Sequence, residues 1–416
     1  MSTPSKKKNQ MKIHTNNPDK VREILMNLKR QDLLGESPIP YKLLENKKFF
    51  IYYDLENEDY FDLPEFVWSE HLTKRNVFLV DTQTEEERKR LCELFGLKPT
   101  KKSFITYDLM EHPLKNYEYE YSERIQPRYP IYVITKGRWE KTFTIDTLEE
   151  MGVDFYICVE PKEHEKYLQN EKIDRNKILV LPENFSERNQ GAVPVRNFCW
   201  EHSVKNGFTK HWQLDDNIKW FYRWDRNTKK KVKDGVFFRM MEDFSDKFEN
   251  LGLTSCQYVH FIPTTKCDRK QFILNTRAYS CILINSELLD QRLDERWRGR
   301  SNDDTDLSLR VLSTGDLCTV NFNNLLSGKQ TSGSMKGGME KIYEGHTHEG
   351  YQKKFDELKK NWGDIVTFTN KKHKDGRPHH HIEYTKLFTQ KLKLKDGLIR
   401  EPKINNYNMT LKNKTP

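Results

Sequence analysis

Between residues 131 and 214 short apolar runs alternate with amphipathic segments, and this alternation restricts the fold more than any other feature of the sequence. The predicted strands cover residues 131–134, 154–159, 178–181 and 211–214. The predicted helices cover residues 142–151, 161–168 and 193–206. Gly152 and Gly207 are placed to end two of these helices. Regular strand–helix alternation indicates an α/β fold with a parallel sheet and helices on its faces.

The fourth predicted strand is followed at once by Asp215, Asp216 and Asn217. In open α/β sheets ligands bind at the carboxyl ends of the strands. Adjacent carboxylates repel each other, and Mn²⁺ or Mg²⁺ prefers oxygen ligands. The alternative is an ordinary turn, because Asp and Asn are common turn residues. We expect these three residues to bind a divalent cation, with His346 as a further ligand.

Basic residues after the first strand suit a phosphate-containing ligand. Lys136 and Arg138 flank Gly137, which permits close backbone approach. Arg196 lies near the start of the third helix, where its guanidinium can bind a diphosphate. Neither a P-loop nor a G-x-G-x-x-G fingerprint is present. The predicted donor-binding residues are Thr135, Lys136, Gly137, Arg138, Glu160, Gly191, Arg196, Asn197 and Asp215.

A second group of acids lies at Asn302-Asp303-Asp304-Thr305-Asp306, ahead of an apolar helix. One interpretation is helix capping and favourable interaction with the helix dipole. The other is a general base that deprotonates an acceptor hydroxyl. The two are compatible, and we expect Asp304 as the base, with Asp303 as second choice.

Aromatic and basic residues alternate after the first acidic group. Trp220, Arg223 and Trp224 are predicted to contact an acceptor, because aromatic rings stack on bases or sugar faces. The alternative is that these aromatic residues pack in the core.

The charge balance is mildly basic, with 71 Lys and Arg against 62 Asp and Glu and a net charge of +9. This excess favours a polyanionic partner such as DNA, although a lysine-rich surface would give the same value. Seven cysteines at wide spacing, without a C-x-x-C pair, fit a reducing compartment. The sequence has neither a secretory signal nor an apolar run near ~20 residues, so we expect a cytoplasmic protein without membrane contact.

The chain is divided by changes of composition. We expect a disordered tail at 1–10, a small α+β accessory domain at 11–125, the catalytic domain at 126–345 and a helical, basic extension at 346–416. Residues 326–350, rich in Gly, Ser, Lys and His, are predicted to form a mobile lid. The tract His379-His380-His381 is predicted to lie on the surface.

The chain resembles GT-A glycosyltransferases in four segments. They are YPIYVITKGRW at 129–139, GAVPVRN at 191–197, LDDN at 214–217 and NDDTDLSLR at 302–310. More narrowly, it is similar to the TET/JBP-associated DNA-base glycosyltransferases, which include the base J glucosyltransferase and many phage proteins. The run GKQTSGSMKGGMEKIY at 328–343 adds to this similarity.

This resemblance implies a Rossmann-like GT-A fold with a central mixed sheet. It also implies a UDP-sugar donor, Mn²⁺ or Mg²⁺, and a DNA acceptor that carries 5-hydroxymethylcytosine or 5-hydroxymethyluracil. Asp304 matches the base of an inverting displacement. Asn217 stands where the family's metal motif has an acid. A phage origin, and hence the host cytoplasm, is also implied.

Two other functions are compatible with the same residues. A metal-dependent nuclease or nucleotidyltransferase would also use clustered acids and a basic surface. A non-catalytic DNA-binding protein could keep a glycosyltransferase-like fold, because a fold does not establish an activity. The sequence does not determine the oligomeric state.

Overall fold

The computed structural model describes residues 84–94, 126–225, 228–262, 272–330, 337–338, 347–369 and 379–397, together with the strands outside these ranges. The strands are β1 (Gln10–Thr15), β2 (Ile39–Pro40), β3 (Asn76–Asp81), β4 (Phe104–Thr106), β5 (Tyr117–Tyr121), β6 (Ile131–Ile134), β7 (Tyr156–Val159), β8 (Ile178–Val180), β9 (Lys210–Asp215), β10 (Ile218–Asp225), β11 (Thr228–Lys231), β12 (Leu251–Tyr258), β13 (Phe272–Leu274), β14 (Cys281–Asn285), β15 (Cys318–Lys329), β16 (Thr367–Thr369), β17 (His379–His381) and β18 (Met409–Asn413). The α-helices are α1 (Glu85–Leu94), α2 (Phe143–Met151), α3 (His164–Leu168), α4 (Val193–Lys205), α5 (Val236–Ser245), α6 (Ser286–Asp290), α7 (Asp303–Ser313), α8 (His348–Trp362) and α9 (Tyr384–Leu387). Short 3₁₀ turns lie at Pro161–Glu163, Arg175–Lys177, Phe185–Arg188, Val259–Phe261 and Gly363–Ile365.

A large mixed sheet forms the centre of the molecule. Its order is β11-β10-β15-β12-β14-β9-β6-β7-β8, with β13 paired to β15. Strands β6, β7, β8 and β9 are parallel, as the alternation predicts. Strand β14 runs antiparallel between β9 and β12. The expected α/β class with a central mixed sheet is confirmed, because antiparallel strands such as β14 join the parallel ones.

Helices cover both faces of the sheet because successive strand residues point to opposite sides. Ile131 and Val133 on β6 pack in a cluster with residues of α2 and α5. Tyr132 between them packs with residues of α4 on the other face. Helices α6 and α7 cover the neighbouring part of that second face. The two layers fix the carboxyl edge of the sheet between them.

The predicted elements of the parallel half agree with the structure to within about two residues, apart from the second helix. Only 164–168 of the predicted 161–168 is α-helical, after a 3₁₀ turn. Helix α2 ends at Gly152, which has a left-handed φ of 63° and donates its N–H back to the last turn.

The second half differs more from the prediction. Strands β12 and β14 belong to this half, and the alternation between residues 131 and 214 does not extend to them. The predicted lid is wrong at its start, because residues 326–329 continue β15 and Leu326 is fully buried. Segments 331–336 and 339–346 lie outside the described residues.

Smaller sheets lie outside the central one. Strands β2, β3, β1 and β4 form a four-stranded sheet, and β1 begins at Gln10. Strand β5 pairs with β18 near the end of the chain. The residues of the predicted tail before Gln10 lie outside the described residues.

The extension after residue 346 packs against α7. Leu358 and Ile382 form a buried cluster with Leu309 of that helix. The carboxylate of Glu357 accepts hydrogen bonds from the Ser301 hydroxyl at 2.6 Å and the Arg300 amide at 2.7 Å. These contacts hold the segment from which α7 starts.

Candidate active site

Charged side chains from four elements meet at the carboxyl edge of the central sheet. One of the four is the loop after β6, the others are the end of β9, the end of β15 and the first turn of α7, and the first turn of α4 adds Arg196 as a fifth contribution. Their side chains form a set of ion pairs that is largely buried. This is the edge at which open α/β sheets bind ligands.

Asp215, the last residue of β9, is bound by two cations. Its Oδ1 accepts from Arg196 Nη2 at 3.1 Å, and its Oδ2 accepts from Lys329 Nζ at 2.7 Å. The Ser280 hydroxyl donates to the same Oδ2 at 2.8 Å. Burial raises the pKa of Asp215, but Lys329 and Arg196 outweigh burial and bring the pKa well below its ordinary value. Asp215 is therefore ionised.

Arg196 connects the two acidic groups. Helix α4 begins two residues after Gly191, which has a φ of 63°, and this start directs Arg196 toward β9. Its Nε lies 2.7 Å from Asp303 Oδ2. The guanidinium also lies over the Trp297 ring at 4.7 Å. One buried cation thus bridges the predicted metal motif and Asp303, the second choice for the base.

Asn197 supports this arrangement indirectly. Its side chain accepts from the Trp297 amide and donates to the Trp297 carbonyl, both at 2.9 Å. The Arg196 guanidinium in turn lies over the Trp297 ring. Asn197, predicted to bind the donor, is engaged in positioning Arg196.

Asp216 faces a different set of partners from Asp215. It is ion-paired with Arg138 and accepts bonds from the Thr135 hydroxyl and the Lys136 amide. Burial raises the pKa of Asp216 above its ordinary value, Arg138 opposes this rise, and the neighbouring Asp215 adds to it. Asp216 thereby anchors the predicted phosphate loop to the end of β9.

The predicted phosphate loop, residues 135–138, lies against Gly337 and Gly338. The Gly338 amide donates to the Lys136 carbonyl at 2.9 Å. A Cβ at Gly337 would lie 2.6 Å from that carbonyl oxygen and 2.8 Å from the carbonyl of Gly137. Only residues without a side chain allow this approach. Gly337 and Gly338 therefore lie against residues 136–138.

Asp303 and Asp304 at the start of α7 lie in different electrostatic environments. Burial raises the pKa of Asp303 above its ordinary value, and Arg196 opposes this rise. Burial also acts on Asp304, but Arg277 Nη2 at 2.6 Å outweighs it and lowers the pKa. Asp304 also accepts from the Thr305 amide at 2.7 Å. The two acids are thus separated in proton affinity.

The extension contributes buried groups beside these acids. His380 is 9% exposed, and its Nε2 lies 3.5 Å from the Thr305 hydroxyl. Burial lowers the pKa of His380 to about 2, so the ring is neutral. The expectation of a surface histidine tract is wrong for this residue, because β17 packs beside α8 and the His380 ring reaches Thr305 of α7.

Two further predictions have structural explanations. Glu160 is buried, and its carboxylate accepts from the Ser186 amide at 2.5 Å and the Ser186 hydroxyl at 2.7 Å. It therefore fastens the turn that precedes α4. Gly191, which has a left-handed φ of 63°, lies between this turn and the start of α4.

The predicted acceptor residues lie on β10. Trp220 is 36% exposed, and Lys231 Nζ lies 3.3 Å from the centroid of its ring. Arg223 is half-buried and pairs in register with Leu325 of β15. The side chain of Trp224 lies outside the described residues. The core alternative holds for Phe221, which is fully buried against α5.

The predicted metal ligands do not converge. Asp215 and Asp216 turn to separate cations, and the Asn217 amide donates to the Gln330 carbonyl at 2.7 Å. His346 lies outside the described residues. Within the described ranges, no group of three or more His, Cys, Asp or Glu side chains is placed to hold one ion.

Four site residues were not predicted from the sequence: Tyr258, Arg277, Ser280 and Lys329. Ser280 has a φ of 60°, an uncommon value for a residue other than Gly or Asn, and strained residues of this kind cluster at functional sites. Lys329 lies in the glycine-rich run that carries part of the family resemblance, which was the available signal. For Tyr258 and Arg277 the sequence offers none.

Comparison with known proteins identifies the class to which this site belongs. The chain belongs to the TET-associated glycosyltransferase family, whose sequence pattern matches residues 129–338. It is accordingly a glycosyltransferase. No functionally curated protein matches the sequence.

One solved structure, titled "Crystal Structure of a Mycobacterial Protein", is similar at 8% identity with a TM-score of 0.29, over 63% of this chain and 84% of that one. This likeness is too low to bear on function. Among the described helices, none has the length and apolar character required to span a membrane.

Proposed function

We propose that this glycosyltransferase moves a sugar from a UDP-sugar to the hydroxymethyl oxygen of 5-hydroxymethylcytosine or 5-hydroxymethyluracil in DNA, with inversion at the anomeric carbon. The observation that carries the proposal is the bridge formed by Arg196, which joins Asp215 at the end of β9 to Asp303 at the start of α7. A diphosphate-binding cation and a base are thereby held side by side.

Basic groups around Asp215 support a diphosphate donor. Arg138, Arg196 and Lys329 all lie at the carboxyl edge, and guanidinium and ammonium groups bind phosphate oxygens by charge-assisted hydrogen bonds. The nucleotide would lie across the predicted phosphate loop.

The environments of the two acids favour Asp303 as the general base, the reverse of the order expected from the sequence. A base works best when its pKa approaches the operating pH, and burial raises that of Asp303. Arg277 stabilises the ionised form of Asp304 and weakens it as a proton acceptor. In the reaction Asp303 takes the hydroxyl proton while the oxygen attacks the anomeric carbon and the UDP oxygen leaves.

A DNA acceptor is supported by charge and by an exposed aromatic group. The net charge of +9 favours a polyanion. Trp220, with the Lys231 ammonium over its ring, offers a stacking surface and a cation on one exposed face. The 5-position of a pyrimidine points into the major groove, where a hydroxymethyl group is open to attack.

The divalent cation stays a prediction, and the residues do not fit it as they are arranged. A metal at Asp215 would have to displace Lys329 or Arg196, and one at Asp216 would have to displace Arg138. The step described above therefore assigns no part to a metal.

The proposal is tested by nucleoside mass spectrometry. The protein is incubated with duplex DNA that contains hydroxymethylcytosine or hydroxymethyluracil and with a panel of UDP-sugars. We expect one sugar to be added to the modified base, and none to matched DNA with ordinary cytosine and thymine. A lack of mass gain on every base would refute the DNA acceptor. Cleavage of the DNA without any donor would instead support a nuclease.

A further inference from the structure

The Lys329 ammonium lies where an ion bound to Asp215 would be held. Its Nζ is surrounded by three oxygen atoms: Asp215 Oδ2 at 2.7 Å, Ser280 Oγ at 2.8 Å and Tyr258 OH at 3.3 Å. The Lys329 side chain is 19% exposed. A carboxylate with two hydroxyl groups is an oxygen set of the kind that a hard cation receives, and here a lysine of the chain fills it.

A second cation occupies the other oxygen of Asp215. Arg196 Nη2 lies 3.1 Å from Oδ1, and the Arg196 side chain is 7% exposed. Lys329 and Arg196 together place two positive charges beside Asp215, and Arg196 shares its charge with Asp303. This matches the formal charge of a divalent ion at the same position.

Resting on the proposed function, we propose that Lys329 acts with Arg196 in place of a divalent cation and neutralises the departing diphosphate, so that sugar transfer needs no metal. Lysine is suited to this because its ammonium is a compact charge with three donors on a flexible stem. It can turn from Asp215 to a phosphate oxygen over a short distance.

The bond changes are those of a single displacement. The bond between the anomeric carbon and the β-phosphate oxygen breaks, and its electron pair stays on that oxygen. Lys329 and Arg196 donate hydrogen bonds to the negative charge that develops there, as preorganised donors do in other transfer reactions. The acceptor proton goes to Asp303, and UDP leaves as the anion.

The first test is binding of UDP alone, measured by isothermal titration calorimetry in EDTA and again with Mn²⁺. We expect wild-type protein to bind UDP in EDTA, with an affinity that Mn²⁺ changes by less than about threefold, because the cations are already present. Binding that requires Mn²⁺ would overturn this inference and leave the proposed transfer intact. A lack of UDP binding in both conditions would overturn both.

The second test compares Lys329→Met with Lys177→Met. Lys177 is a matched control because it is 18% exposed, is ion-paired with Glu149 and lies just before β8, away from the carboxyl edge. We expect Lys329→Met to weaken UDP binding in EDTA by about ten- to a hundredfold, the value of one or two charge-assisted hydrogen bonds. The control should leave it within about twofold.

The same variants are then titrated with Mn²⁺ alone. Lys329→Met exposes the Asp215 carboxylate, so we expect it to bind Mn²⁺ more tightly than wild type, and the further change Asp215→Asn to remove that gain. Equal Mn²⁺ affinity in wild type and Lys329→Met would overturn the assignment of Lys329 to a cation position. The wild-type measurement in EDTA needs no variant and decides the matter if Lys329→Met does not fold.

Discussion

The two ends of strand β9 both carry buried charges, but they are built differently. At the amino end, Trp212 Nε1 and the Arg128 amide each donate to Glu242 at 2.8 Å, and Lys210 is ion-paired with Asp246 at 2.5 Å. Glu242 belongs to α5, and its two donors here are a backbone amide and an indole ring N–H. At this end the partners of the acid are fixed.

At the carboxyl end, the partners of Asp215 are the tips of two long cationic side chains. Lys329 and Arg196 come from β15 and α4, and each can rotate from the carboxylate to another anion. The comparison shows that burial and charge do not separate a structural cluster from a binding one. The strand end at which the charges lie does, because open α/β sheets bind ligands at the carboxyl ends of their strands.

The largest expected effect that tests this contrast is on the chemical step. Asp303→Asn should lower kcat by about 10²- to 10⁴-fold, the usual contribution of a general base, and Asp304→Asn by about tenfold or less, because Arg277 already holds that acid ionised. Single-turnover kinetics measure both.

The matched control at the amino end of β9 is Asp243→Asn. The Asp243 carboxylate is buried against Arg128 and Arg239. The substitution should lower the free energy of unfolding and leave kcat of the folded protein within about twofold. A larger loss of kcat in Asp304→Asn than in Asp303→Asn would reverse our assignment of the base.

A smaller effect is expected on stability. His211 near the amino end of β9 is fully buried, with Nδ1 2.7 Å from Ser286 Oγ, and burial lowers its pKa to about 3. The native ring stays neutral where the unfolded chain takes up a proton below pH 6.5. The free energy of unfolding should therefore fall as the pH falls, by about 2 kcal/mol at pH 5.

Denaturant unfolding of wild type and of His211→Gln at pH 7 and pH 5 measures the contribution of His211 to the free energy of unfolding. The variant is expected to be less stable at neutral pH, and its loss between the two pH values should be smaller by about 2 kcal/mol. Equal losses in both proteins would show that His211 does not remain neutral in the folded state.

The smallest expected effect concerns the glycine segment over the phosphate loop. Gly337→Ala should raise the KM for the donor by about tenfold, because its Cβ would strike two carbonyl oxygens of the loop. Gly397→Ala is the control, since Gly397 has a similar φ of 80° and no atom within 4 Å of a Cβ. Both substitutions bear the cost of a left-handed alanine. Equal KM values for the two variants would therefore show that the contact of Gly337 with the loop does not affect donor binding.

The parallel half of the fold and the place of the acids could be predicted because their signals are local. Strands β6 to β9 alternate with helices over short stretches, and Asp215 and Asp303 sit at element ends that periodicity reveals. The position of Arg196 at a helix start belongs to the same local pattern.

The remainder depends on pairing between distant segments. Lys329 reaches Asp215 across 114 residues because β15 pairs with β12 and β10, and no local pattern encodes those partners. The predicted metal site rested on the idea that adjacent acids require an external cation. The chain instead supplies cations from separate elements, which a sequence without an alignment does not disclose.

The docking of the extension on α7 sets the smallest unit that can be transplanted. Glu357 and Trp362 bind the loop before α7 and Asp306 within it, and both lie after the last residue of the family-matched segment. A chimera that grafts only residues 129–338 onto a new DNA-targeting partner would leave the first turn of α7 without the hydrogen bonds from Glu357 and Trp362. Recombination points for such chimeras belong beyond Lys395, whose amide donates to the Lys247 carbonyl.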